Sequence, residues 1–297
     1  MRRQVHWRTS LVLATVNGCR IFFERMGLKG LTTILTLHSP GGSVDSRYVK
    51  TIFRPFCDDY QVVVFDLRGC GRSEDVGSPS FAQLSADAEM LRKKLRLGQV
   101  IVAGSSGAGY LALEYILRYP ASVRGLILWS TAPAHTSLVT LKKNAKGAAL
   151  ALDWDRFERY WSGRCKGNAD LRRGILDFNR LNAILSPNYS PGRDRAKRYW
   201  RYPTHNYVMQ EQNDDWGVES KLKEIRVPTL VMHGDQDWII PLEEGRKLGT
   251  GISNSKMHVF EGCGHWLHAE RPREFESIVR QFLGRVKVPA DRASAAH

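Results

Sequence analysis

Apolar positions in this chain fall into two kinds of run. Short, unbroken runs bounded by Gly or charged residues recur at Thr33–Leu37, Gln61–Asp66, Val100–Ala103, Val123–Trp129, Thr229–His233 and Lys256–Phe260. Such runs suit strands buried on both faces of a parallel sheet. Between them lie segments with room for helices, at Tyr48–Phe56, Phe81–Leu97, Ala108–Tyr119, around Glu243–Leu248 and at Phe275–Val286. In the second of these, Leu84, Ala88, Leu91 and Leu95 recur at helical spacing, and Pro120 stops the third. Ahead of them all, Leu11–Val16 and Arg20–Glu24 flank Asn17-Gly18, a dipeptide that accepts the positive φ angles of a tight hairpin. The alternation predicts an α/β fold with a mostly parallel central sheet flanked by helices.

The alternation breaks near Ala132-Pro133 and resumes after Trp216. The intervening text is helical and rich in aromatics, among them Trp154, Phe157, Tyr160, Trp161, Tyr199, Trp200 and Tyr202. Four parts are therefore expected: core residues 1–132, an inserted helical cap at 133–216, core residues 217–288, and an Ala/Ser-rich disordered tail at 289–297. The cap aromatics read as packing residues and none is assigned to the site.

Composition narrows the class. With 297 residues, 42% hydrophobic and 25% charged, the chain reads as one large folded domain with an insertion, not as a disordered or disulfide-stapled protein. The net charge of +14 is unusual, and residues 141–205 hold 15 Lys/Arg against 6 Asp/Glu, a net of +9. These bases are interleaved with acids, so the expectation is a solvated face and no nucleic-acid partner. The five cysteines are scattered and form no CxxC pair, as for reduced thiols in a cytoplasmic protein. No stretch reaches the ~18 apolar residues of a membrane span, and the opening Met1-Arg2-Arg3-Gln4 leads into too short an apolar run for a signal peptide. Oligomeric state has no signature here.

Three segments carry candidate chemistry. Gly104-Ser105-Ser106-Gly107-Ala108 follows a buried-type strand and opens a helix, the context of a nucleophile elbow, with Ala108 in the last glycine slot. Ser106 fits the nucleophile position better than Ser105, which would put Ala103 in the first glycine slot. A serine nucleophile needs a base, and the base needs an acid to orient it. The strand ending at His233 is followed by Asp235 and Asp237, of which Asp237 is the better acid. His265 follows the last strand directly after Gly262-Cys263-Gly264, with His268 three residues on. Oxyanion donors are expected from the Gly107 N–H and from the loop His38-Ser39-Pro40-Gly41-Gly42, where Pro40 has no N–H and Ser39 or Gly41 must serve. No HExxH motif or H-x-H pair is present, so no metal and no cofactor are expected.

Taken together these segments resemble the α/β-hydrolase fold family, and within it the proline iminopeptidase-like branch. Asp66-Leu67-Arg68-Gly69-Cys70-Gly71-Arg72-Ser73 is similar to that branch's D-Q-R-G-C-G-R-S turn, which shapes the loop beside the site. Val227-Pro228-Thr229-Leu230 through Asp237 is similar to the segment carrying the family's acid, and Gly264-His265 with Glu270-Arg271-Pro272 to the one carrying its histidine. The resemblance implies a Ser106, Asp237 and His265 triad, and a serine hydrolase cleaving an ester or amide bond of a small-molecule substrate without a cofactor. The branch's oxyanion loop reads H-G-G-P-G; aligning the prolines puts Ser39 in the donor slot. The resemblance also implies cap glutamates that hold a substrate's free amine. The nearest text, His205-Asn206-Tyr207, has no glutamate before it, although Glu211, Asp214 and Asp215 follow. An iminopeptidase-type aminopeptidase is thus the first alternative. C–C bond hydrolysis on the same site and a non-hydrolytic ligand-binding homologue are the others.

Overall fold

The structure is a computed structural model and describes residues 12–75, 79–145, 152–186, 199–213 and 216–286. The tail expected from 289 onward lies outside the described residues, as does part of the expected cap. The strands are β1 (Val12–Val16), β2 (Cys19–Met26), β3 (Thr33–Thr36), β4 (Gln61–Phe65), β5 (Val100–Ser105), β6 (Val123–Trp129), β7 (Thr229–Gly234) and β8 (Ser255–Phe260). They form one sheet in the order β1-β2-β4-β3-β5-β6-β7-β8. β2 runs antiparallel to β1 and β4, and every other pair is parallel. Asn17 and Gly18 take φ of 46° and 73°, as the hairpin between β1 and β2 requires.

The unbroken apolar runs have a direct cause. In β4, Val63 and Phe65 pack into one core cluster, and Val62 and Val64 into the other. The same alternation separates Val100 and Val102 from Ile101 and Ala103, and Leu126 and Leu128 from Ile127 and Trp129. Both faces of the central strands are covered, so neither has a place for polar residues.

The helices outside the insertion are α1 (Arg47–Phe53), α2 (Phe81–Lys94) and α3 (Gly107–Arg118) before it. Within it lie α4 (Leu138–Asn144), α5 (Trp154–Trp161), α6 (Asn168–Leu185) and α7 (Tyr202–Asn213). After it come α8 (Leu242–Gly251), α9 (Leu267–Glu270) and α10 (Pro272–Val286). α2, α3 and α8 cover one sheet face, while α1 and α10 cover the other. α10 does so with Phe275, Val279, Phe282 and Leu283, an i, i+4, i+7, i+8 stripe.

Several element ends differ from the sequence expectation for local reasons. The helix expected to reach Phe56 turns 3-10 at Arg54–Asp58, where Pro55 has no N–H to continue it. α2 ends at Lys94 because Arg96 and Gly98 turn left-handed, with φ of 54° and 63°. The last helix starts at Pro272, a residue suited to a first helical position, and the short α9 has no expected counterpart.

The insertion between β6 and β7 holds α4–α7. It is tied to the core by two isolated bridges, Ala134 with Gly217 and Gly42 with Arg201. Among the described residues, no helix is long and apolar enough to cross a membrane. All five cysteines are buried free thiols.

Candidate active site

β5 ends at Ser105, and the chain turns abruptly into α3. Ser106 occupies the turn with φ 52° and ψ −130°, a conformation strained for a residue with a Cβ. The surroundings hold it there. Its N–H donates to the Ser130 carbonyl at 3.1 Å, and the Thr131 hydroxyl donates to its carbonyl at 2.8 Å. The small residues around it are required by contact: a Cβ on Gly104 would lie 2.4 Å from the Ala108 carbonyl oxygen, and one on Gly109 2.2 Å from Thr131 Oγ1. Ser105, by contrast, is an ordinary strand residue in register with Trp129.

The acid and the imidazole arrive from the ends of β7 and β8. His265 Nδ1–H donates to Asp237 Oδ2 at 2.7 Å, with both residues buried. Asp237 Oδ1 accepts the N–H groups of Ile239 and Ile240, each at 2.9 Å. His233 supports this loop from below by donating Nε2–H to the Ile240 carbonyl at 2.8 Å. Burial lowers the His233 pKa, although the nearby Asp237 opposes the shift, so the ring stays neutral. Asp235 is exposed, whereas Asp237 is buried and bonded to His265, so the geometry favours Asp237 of the two.

Ser39 faces the elbow. A Cβ on Gly107 would lie 3.7 Å from Ser39 Cβ and 3.6 Å from Pro40 Cδ, and the Ser39 hydroxyl donates to the Ser105 carbonyl at 3.5 Å. His38 fixes this loop. Its Nε2 accepts the Leu67 N–H at 2.9 Å, leaving Nδ1–H to donate to the Ser39 carbonyl at 2.9 Å. Burial keeps that ring neutral.

The D-x-R-G-x-G-x-S turn braces the same region. Asp66 Oδ1 accepts the Ser46 N–H and hydroxyl, and Oδ2 accepts the Arg72 N–H and Nε. A Cβ on Gly71, which has φ 50°, would lie 2.4 Å from Asp66 Oδ2. Arg68 forks onto Asp87 at 2.7 and 2.9 Å. Arg201, from the insertion, donates to the Gly71 and Ser73 carbonyls, and its own N–H donates to the Gly42 carbonyl at 2.9 Å. Cap, turn and the His38–Gly42 loop are therefore tied through one arginine whose role the sequence did not signal.

Ser39, Gly107, Ser106 and His265 line one cavity of about 690 Å³. Its cap-side wall includes Tyr160, Trp161, Ile175, Phe178 and Met209, and Tyr110 of α3 lines it from the core. Sequence spacing did not separate Tyr160 and Trp161, which line the cavity, from Phe157, which is fully buried beside them. His205 lines it too, stacked on Tyr160 at 4.9 Å and donating Nε2–H to the Tyr160 carbonyl at 2.9 Å. Burial brings its pKa down to about 4.

Among the described residues of the cap, no Asp or Glu lines the cavity. Glu211 accepts the Phe81 N–H at the start of α2 through both carboxylate oxygens, at 3.0 and 2.9 Å, and does not line the cavity. Asp214 and Asp215 lie outside the described residues. Among the described residues that line the cavity, the carboxylates are Asp45, bonded to Arg47, and Glu276, bonded to Arg280. Among the described residues no group of three or more His, Cys, Asp or Glu side chains is placed to hold a metal ion.

Comparison with known proteins identifies the fold family. A proline iminopeptidase of Pestalotiopsis fici is 27% identical over 269 residues, covering 86% of this chain and 93% of its own. A 2-hydroxy-6-oxononadienedioate/2-hydroxy-6-oxononatrienedioate hydrolase of Escherichia coli strain K12 is 26% identical over 285 residues, 90% of this chain and 91% of its own. Among solved structures, a thermophilic esterase from Thermogutta terrifontis superposes with a TM-score of 0.66 at 21% identity, over 95% of this chain and all of the other, a likeness of fold. The model of the alpha/beta hydrolase fold matches residues 32–272, from β3 to the start of α10. The chain belongs to the α/β-hydrolase fold family, with its likeness in the proline iminopeptidase-like branch.

Proposed function

We propose that the protein is a serine hydrolase that cleaves an ester or amide bond of a small molecule through an acyl-enzyme. One observation carries this reading: Ser106, at a strained elbow, lines the same cavity as His265, whose Nδ1–H is held by Asp237 at 2.7 Å. With Nδ1 protonated and committed to Asp237, Nε2 of His265 is the basic nitrogen. It takes the proton as Ser106 Oγ attacks the carbonyl carbon. The negative oxygen of the tetrahedral intermediate is stabilised by the N–H groups of Gly107 and Ser39. The protonated His265 then gives its proton to the leaving group. A water, deprotonated by His265, attacks the acyl-enzyme carbonyl, and His265 returns the proton to Ser106 Oγ as the acyl–oxygen bond breaks and the acid leaves. Asp237 fixes the ring's tautomer and stabilises the imidazolium at each stage.

The expected result is that Ser106→Ala lowers kcat for a short acyl ester by at least a thousandfold, and that a fluorophosphonate labels the wild type at Ser106 only. An active, labelled Ser106→Ala variant rules the reading out. The likeness to an iminopeptidase favours a second reading, aminopeptidase activity. The pairing of Asp45 with Arg47 and of Glu276 with Arg280, and the use of Glu211 at α2, count against it. A prolyl arylamide assayed beside the ester decides between them: turnover of the amide at a rate matching the ester would favour the aminopeptidase.

A further inference from the structure

The cavity does not end under the cap. Past His265 it continues into a cleft between α1 with its 3-10 extension and the α9–α10 corner, lined by Ile52, Pro55, Phe56, Ala269, Pro272 and Phe275. Trp266 stands at the junction, edge-on to His265 at 5.3 Å and to Tyr48 at 6.2 Å. The inner wall of the cleft is buried, at Phe56 and Phe275, whereas Pro55, Ala269 and Pro272 are exposed at its outer end. The catalytic pair therefore sits between two apolar lobes. One is closed by the aromatics of the insertion, and the other opens to solvent.

From this geometry we infer that the cleft is a second substrate subsite, and that the substrate is a neutral ester or amide with an apolar group on each side of the scissile carbonyl. The inference rests on the serine-hydrolase reading above. The two substituents of a carbonyl leave the tetrahedral centre in different directions, so a centre held at Ser106 sends one under the cap and the other toward Trp266. The total volume, about 690 Å³, suits a drug-sized molecule and is far more than an acetyl ester fills. The charges on the cleft wall are already matched: Asp45 bonds Arg47 through Nε and Nη2, and Glu276 bonds Arg280 at 2.8 Å. The cleft therefore selects no charged head group and rewards length. An open outer end lets the chain extend without a steric limit within the cleft.

The test uses two ester series, one with a growing acyl chain on a fixed alcohol and one with a growing alkyl alcohol on a fixed acyl group. Burial of each methylene is expected to raise kcat/KM roughly fourfold until the lobe is filled. Ala269→Trp, at an exposed position of the cleft, is expected to cut the longest-to-shortest kcat/KM ratio at least tenfold in one series and to leave the other series' ratio in place. Thr51→Trp, on the facing helix, should act on the same series. Thermal midpoints establish that each variant is folded. If neither series shows a length dependence, or if both tryptophans leave both ratios unchanged, the subsite is refuted. Labelling of Ser106 and the inactivity of Ser106→Ala, measured in parallel, separate that failure from failure of the hydrolase reading itself.

Discussion

Ser106 holds its positive φ because the residues around it leave no other course. The carbonyl of Ala108 and the hydroxyl of Thr131 occupy the space that side chains at 104 and 109 would need. Gly104→Ala places a methyl 2.4 Å from backbone rather than from a flexible side chain, so the clash is relieved only by moving α3. An overpacked site of this kind costs about 1–3 kcal/mol, and urea unfolding should report a loss in that range. Activity should fall further than stability, because a displaced α3 carries Ser106 and the Gly107 N–H with it. A variant of wild-type stability would show that the close approach is not limiting. Gly104 was legible as a motif position. That its restriction comes from Ala108 O was not, because that contact closes only when the helix turns back over the strand.

At the scale of elements, Asp66 does the joining. It sits at the end of β4, accepts from Ser46 at the start of α1, and grips Arg72 in the following turn. Burial opposes its charge, yet the Arg72 hydrogen bond and the neighbouring groups hold its pKa below the usual carboxylate value. Asp66→Asn removes a fully buried carboxylate charge and leaves Arg72 with Glu24, at 3.4 Å, as its remaining charge partner. Removing one member of a buried pair costs about 3–5 kcal/mol when the other is left unpaired; because Glu24 still faces Arg72, chemical denaturation should show a loss at or below the lower end of that range. A loss under 1 kcal/mol would mean that solvent compensates Arg72. The same scale explains Glu211. A glutamate in the cap looks available for a substrate amine in the sequence, but the packing of α7 against the start of α2 makes it the partner of an unsatisfied helix N–H.

At the scale of the molecule, buried neutral histidines make stability depend on pH. Burial lowers the pKa of His205 to about 4 from the 6.5 of an unperturbed imidazole. Below pH 6.5 the unfolded chain binds a proton that the folded chain excludes. The stabilisation is therefore complete above pH 6.5 and is lost as pH falls toward 4. Between pH 7 and pH 5 this group alone accounts for about 2 kcal/mol. Urea unfolding at the two pH values, on wild type and His205→Gln, should show a steeper loss for wild type by about that amount. Equal slopes would place His205 in a more solvated setting. His268, whose pKa burial lowers to about 3, extends the acid sensitivity further down.

The sequence by itself determined the alternation of strands and helices in the core, the hairpin at Asn17-Gly18, the mostly parallel sheet and the segments that carry Ser106, Asp237 and His265. These follow from periodicity and turn chemistry, which act over a few residues and are written locally. Only the tertiary structure decided what those residues meet. Asp237 and His265 are 28 positions apart, and it is the adjacency of β7 and β8 that brings them to 2.7 Å. The cap shows the limit most clearly. Tyr160, Trp161 and Phe157 share one helix and one chemistry, and whether an aromatic lines the cavity or fills the core depends on which way that helix is rolled against α6. Helix roll is set by packing contacts distributed over distant segments, so no local pattern records it.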